Sequence, residues 1–146
     1  ALEGLDIIGK GILDINLDDI DAAKDKLNAS QYKVLKANIF NRYLTRVAKT
    51  LMTADEFDHK QFGYLLYKHY EQLRDGLEIS TPKIDRMINA AMETGALGAK
   101  INGSGGGGCM FAYAPDDPER VAAAIQSQGG KAFIVRVDQG VIVEKI

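Results

Sequence analysis

Lys100-Ile101-Asn102-Gly103-Ser104-Gly105-Gly106-Gly107-Gly108-Cys109-Met110-Phe111 is the stretch from which the fold is read. An apolar run, Leu97-Gly98-Ala99, precedes it, and another, Met110 to Ala114, follows. Two strand-like runs joined by such a loop predict a β-hairpin with a long glycine tip. Glycine loses more backbone entropy on folding than any other residue. Four in a row therefore serve positive φ angles, close backbone approach or bare N–H groups rather than rigidity. Bare N–H groups in a tight turn form an anion-binding concavity. A loop that helps to hold nucleotide phosphates and a flexible or close-packing surface hairpin both fit the glycines, and both stand at this point.

Outward from this loop, 146 residues suit one domain with a real core. The hydrophobic fraction of 46% and charged fraction of 26% are those of an ordinary globular chain. A formal net charge of -2 supplies no excess of cations to neutralise a phosphate backbone, so nucleic acid is not expected as a partner. No apolar run reaches membrane-span length. No basic segment followed by an apolar one marks a signal peptide, and a cytoplasmic protein is expected. One cysteine excludes an intrachain disulfide, and two distant histidines argue against a zinc site. The chain starts at Ala1 inside structured-looking sequence, which suggests a fragment.

Residues 1–30 mix Leu5, Ile7, Ile8, Ile12, Leu13 and Ile15 with glycines. They predict one or two short elements and a loop, with a short helix over Asp19 to Leu27. From Ser30, Tyr32, Leu35, Ile39, Tyr43, Leu44, Val47 and Leu51 keep one helix face apolar to about Met52, and Lys33, Lys36, Arg42, Arg46 and Lys49 read as its solvated face. A second helix, Asp58 to Arg74, places His69 on or beside the stripe of Phe62, Leu65, Leu66 and Leu73, where a histidine reads as a packing residue. Asp75-Gly76 stops it. Ser80 or Thr81 caps a third helix, with Pro82 in its first turn and Ile84, Met87, Ile88 and Ala91 as its packing face. After the hairpin, Glu119 to Gln128 is helical, with Val121, Ala124 and Ile125 inward. Lys131 to Val137 and Val141 to Ile146 are β-rich runs around the turn Asp138-Gln139-Gly140. The expectation is one α+β domain over residues 1–146, in which helices cover an antiparallel sheet of about four strands.

Certain of these residues recur together in a known order. Ile79-Ser80-Thr81-Pro82-Lys83-Ile84-Asp85, Ala90-Ala91, Gly95-Ala96-Leu97-Gly98-Ala99-Lys100 and Gly103-Ser104-Gly105-Gly106-Gly107-Gly108-Cys109 resemble the C-terminal region of the GHMP kinases. That superfamily transfers the γ-phosphoryl of ATP to small-molecule acceptors. Asn41-Arg42, Phe62-Gly63-Tyr64-Leu65-Leu66 and His69-Tyr70-Glu71-Gln72-Leu73-Arg74 resemble its sugar kinases, galactokinase above all. The all-glycine loop departs from the galactokinase form, which has an aromatic between glycine pairs, and is closer to mevalonate and heptose kinases.

The resemblance implies a ferredoxin-like C-terminal domain, ATP and Mg²⁺ as cofactors of the intact enzyme, and a small sugar as acceptor, with galactose to galactose 1-phosphate the favoured reaction. It implies that Gly103, Ser104, Gly105, Gly106, Gly107 and Gly108 shape the phosphate cleft against an N-terminal domain of the same protein. Ser80 and Pro82 then serve to build the helix, and Asp85 either does so or lies near the sugar. Cys109 reads as a packing residue. The superfamily's Pro-Gly-Leu-Gly-Ser-Ser motif, its N-terminal sugar motif and its catalytic Asp/Arg pair are absent, and no P-loop replaces them. The 146 residues alone are therefore expected to hold no catalytic residue, no metal site and no phosphotransferase activity. The alternatives are a mevalonate or heptose-phosphate kinase of the same superfamily, a non-catalytic small-molecule-binding regulatory domain, or a structural interaction domain.

Overall fold

The computed structural model describes residues 1–140 and 142–143. Two short helices open the chain, α1 (Leu2–Ile8) and α2 (Leu17–Ala22). Asn16 and Asp19 start α2 with a reciprocal capping box, each side chain accepting the other's backbone N–H (2.9 and 3.0 Å). A single 3₁₀ turn, Lys24–Lys26, follows, so the short helix expected over Asp19 to Leu27 is two pieces. The long helix α3 (Ala29–Met52) begins with a second capping box, Asn28 with Gln31. Ile15, Ile20, Leu27, Leu35 and Ile39 are buried together between these elements. At about 1.5–3 kcal/mol for each fully buried aliphatic side chain, this cluster is what holds the N-terminal segment to α3.

Arg42 departs from the solvated face expected of the basic residues on α3. Its guanidinium donates to the carbonyl oxygens of Ile12 (2.6 Å), Leu13 (3.0 Å) and Ile15 (2.5 Å). It satisfies backbone acceptors that the loop before α2 leaves without partners.

Helix α4 (His59–Glu71) is capped by Asp58, which accepts from the Gln61 N–H. It gives way to a wider π turn, Gln72–Gly76, closed by Leu77 N–H donating to Gln72 O (2.9 Å). Glu78 then takes a φ of 56°, left-handed for a residue with a side chain, and turns the chain into α5 (Pro82–Glu93). Thr81 is the cap, accepting from Ile84 N–H, and Pro82 fills the first position.

The glycine stretch forms the expected hairpin, β1 (Gly98–Asn102) antiparallel to β2 (Cys109–Tyr113), with Ile101 opposite Met110 and Asn102 opposite Cys109. Side chains alternate across it. Ala99, Ile101, Met110 and Ala112 face the main core, with Tyr70, Leu73, Ile84, Met87, Ile88 and Ala91, and with Val121 and Ile125 of α6 (Pro118–Ser127). The other face carries Lys100, Asn102, Cys109, Phe111 and Tyr113. Helix α4 crosses this face backbone to backbone. A Cβ on Gly63 would collide with the Leu97 carbonyl, and one on Gly98 with the Gly63 carbonyl.

Two expectations are corrected. The sheet has two strands among the described residues, not about four. Lys131 to Val137 carries no strand, and Phe133, Val135 and Val137 are 71%, 83% and 103% exposed. Alternating β-branched residues are a local signal, whereas a strand needs a neighbour to take its N–H and C=O groups. No such neighbour pairs with this run among the described residues. Of the last β-rich run, Val141 and residues 144–146 lie outside the described residues. The second correction is Cys109, which is exposed, not packed. It opens β2 on the outer face of the hairpin.

Candidate functional site

Six residues, Gly103 to Gly108, close the hairpin. Gly103, Gly105, Gly106, Gly107 and Gly108 have φ of 85°, 78°, 73°, 139° and 80°. L-residues pay a steric penalty there, so the glycines are a conformational requirement. The loop is tied down at one point, where Gly106 N–H donates to Ile79 O (2.8 Å). A Cβ on Gly105 would lie 2.5 Å from that same Ile79 oxygen. The loop is thus seated on the segment that leads into α5. The N–H groups of Gly103, Ser104, Gly105, Gly107 and Gly108 donate to no backbone carbonyl outside the strand ladder among the described residues. Free donors on a backbone of fixed shape suit an anion with several acceptor oxygens.

Ile79 heads the family-like series, but sequence reasoning gave it no role of its own. Its N–H donates to Leu73 O (3.0 Å) and its carbonyl accepts from Gly106, so it joins the π turn after α4 to the loop. It acts through its backbone, and residue type carries no signal for that.

Asp85 stands in the first turn of α5, beside the loop's support and not in the loop. Its Oδ1 accepts from Tyr70 OH (2.5 Å) and from the Ser80 hydroxyl. Burial and the neighbouring Asp85 push the Tyr70 hydroxyl up to about 12, so the phenol stays protonated and keeps donating. Ser80, Asp85 and Tyr70 form one knot that fixes α5 to α4. Asn41 lies apart from it on α3, with Oδ1 buried and without a partner among the described residues.

His69 is half-buried and makes no hydrogen bond among the described residues. Its pKa is pulled down to about 4, first by burial and then by the charge of Lys100. His59, the other histidine, bonds the Tyr113 hydroxyl through Nδ1 and stacks on its ring (6.0 Å between centroids). Among the described residues, no group of three His, Cys, Asp or Glu side chains converges to hold a metal ion. Among the described residues, no helix is long and apolar enough to cross a membrane.

Over residues 48–131, more than half of the chain, the sequence matches the family described as GHMP kinases C terminal. This chain belongs to the GHMP kinases. Within that family it is 47% identical over 87 residues to a mevalonate kinase of Thermococcus onnurineus, covering 59% of this chain and 26% of that protein. It is 29% identical over 104 residues to the galactokinase of Homo sapiens, covering 70% of this chain and 26% of the relative. The fold is also that of the crystal structure of Lactococcus lactis galactokinase complexed with galactose. The TM-score is 0.72 at 24% identity, over 82% of this chain and 31% of that one. The chain thus spans roughly a quarter to a third of the GHMP kinases it matches. Of these two relatives, the mevalonate kinase has the higher identity.

Proposed function

We propose that this domain is the C-terminal part of an ATP-dependent small-molecule kinase, in which Gly103 to Gly108 line the phosphate side of the cleft. The observation that carries the reading is the loop itself: five left-handed glycines, one anchored N–H and five N–H groups turned to no backbone partner outside the strands. Phosphoryl transfer needs positioning and charge stabilisation more than covalent chemistry from the protein. Backbone donors of fixed geometry supply both for the non-bridging oxygens of a transferred phosphoryl group. ATP, when bound, would supply the reactive γ-phosphoryl, and Mg²⁺ bound with it would neutralise charge on the phosphate oxygens. Asp85 holds the support of the loop through Ser80 and Tyr70, and in this reading it acts on the acceptor only through that support.

The acceptor is a small-molecule hydroxyl. Mevalonate is the first candidate, on the identity to the archaeal mevalonate kinases. Galactose is the second, on the similarity to galactokinases. The remainder of the same polypeptide supplies the catalytic groups, and the isolated 146 residues are inactive. A coupled assay with ATP and Mg²⁺ tests this on the natural full-length protein and on the 146-residue chain. Turnover of mevalonate or galactose by the former alone is expected and names the acceptor. Turnover by the shorter chain would place the catalytic groups within it and overturn the reading.

A further inference from the structure

On the outer face of the hairpin, two residue pairs back from Asn102 and Cys109, a crevice of 230 Å³ opens between three elements. Helix α3 contributes Leu44, Thr45 and Ala48, α4 contributes Leu65, Leu66 and His69, and the hairpin contributes Lys100 and Phe111. None of these is acidic. Lys100 is half-buried, its ammonium donates to Ile101 O (2.7 Å) and stands 5.3 Å from the centre of the Phe111 ring. Among the described residues it has no carboxylate partner. Burial lowers its pKa, which is the signature of a cation taken from water without a counter-charge.

The geometry points to a binding site for a small monoanion with an apolar body, its carboxylate on Lys100 Nζ and its body against Leu44, Leu65, Leu66 and Phe111. An ammonium has three donors and one is used, so two are free. A neutral His69 ring adds one N–H. The Thr45 hydroxyl already donates to Asn41 O (2.8 Å) and offers no further proton. Three donors and a single positive charge suit the two oxygens of a carboxylate. A phosphate dianion would keep unmatched charge against apolar walls, which is costly. The apolar lining strips water from the ammonium–carboxylate pair and so strengthens it. This site is separate from the glycine loop and does not depend on the kinase reading.

Benzoate is the probe, with benzyl alcohol as its neutral twin and inorganic phosphate as the dianion. They are titrated into the natural full-length protein while the His69 ring signals, assigned by a His69→Gln variant, are followed by NMR. Benzoate is expected to shift the ring signals saturably and to bind at least about tenfold tighter than either of the others, a gap that corresponds to one well-placed charge interaction. Lys100→Arg should keep most of the affinity, and Lys100→Met should lose about tenfold or more. Ala48→Phe fills the crevice from α3 while leaving Lys100 in place, and should abolish the shift even if Lys100→Met fails to fold. Unmoved His69 signals, equal binding of benzyl alcohol, tighter binding of phosphate, or full affinity in Ala48→Phe would each overturn the site.

Discussion

Gly63 and Gly98, where α4 crosses β1, differ from the glycines of the 103–108 loop in what the missing side chain provides. At the crossing neither φ is left-handed, and the space for a Cβ is already filled by backbone. At Gly103, Gly106, Gly107 and Gly108 the space is empty and the φ is left-handed. One pair of glycines provides room, and the other set provides a backbone shape. Gly105 needs both, because its φ is 78° and the Ile79 oxygen stands where a Cβ would go. The two uses should respond differently to the same one-carbon change.

Gly98→Ala should have the largest effect. A rigid backbone carbonyl cannot move aside as a side-chain tip can, so α4 must lift from the sheet, and urea unfolding should show a loss of at least about 3 kcal/mol. A loss below about 1 kcal/mol would mean that the crossing is looser than described. Gly105→Ala combines strain with a smaller clash and should cost about 2–3 kcal/mol, with the Gly106–Ile79 hydrogen bond broken and the Gly106 amide exchanging faster. Tyr70→Phe removes a donor from the Ser80–Asp85–Tyr70 knot and should cost about 1–2 kcal/mol in the same measurement, without altering the loop. Gly107→Ala meets no atom within 4 Å and should cost only about 1 kcal/mol of backbone strain. On the proposed kinase function it should nonetheless raise the KM for ATP in the natural full-length protein, which separates loop shape from packing. The smallest effect is one of pH. His69 is near 4 in the fold against 6.5 when free, so the unfolded chain takes up the proton first. Stability should therefore fall as the pH drops from about 6.5 towards 4, by about 1 kcal/mol once solvent screening of a half-exposed ring is allowed for. His69→Gln should flatten that part of the profile.

Helix spacing made α3 to α6 legible, and the flanking apolar runs made the hairpin legible. Thr81 with Pro82 and the stop at Asp75-Gly76 are encoded by residue type and lie close to where they were expected. The loop announced its left-handed backbone through composition alone. What could not be read depends on partners distant in sequence. Arg42 looks like any surface cation until three carbonyls from residues 12–15 meet it. Cys109 has apolar neighbours in sequence but is exposed on the outer face of the hairpin. Lys131 to Val137 has the alternation of a strand and no strand beside it among the described residues. Lys100 gave a faint sign, as the one charge in an apolar alternating run, but nothing local said that it would lack a counter-ion.

The bond from Gly106 to Ile79, with Ile79 bonded in turn to Leu73, gives the loop a clock. Each time the loop lifts, the Gly106 amide is released to solvent, whereas the Ile79 amide is released only when the π turn after α4 yields as well. Two exchange rates from two amides thus separate a local opening from a shared one. An occupant that grips the loop should slow the first rate towards the second. The spacing between the rates then measures, in time and not in distance, how firmly the loop is held on its support.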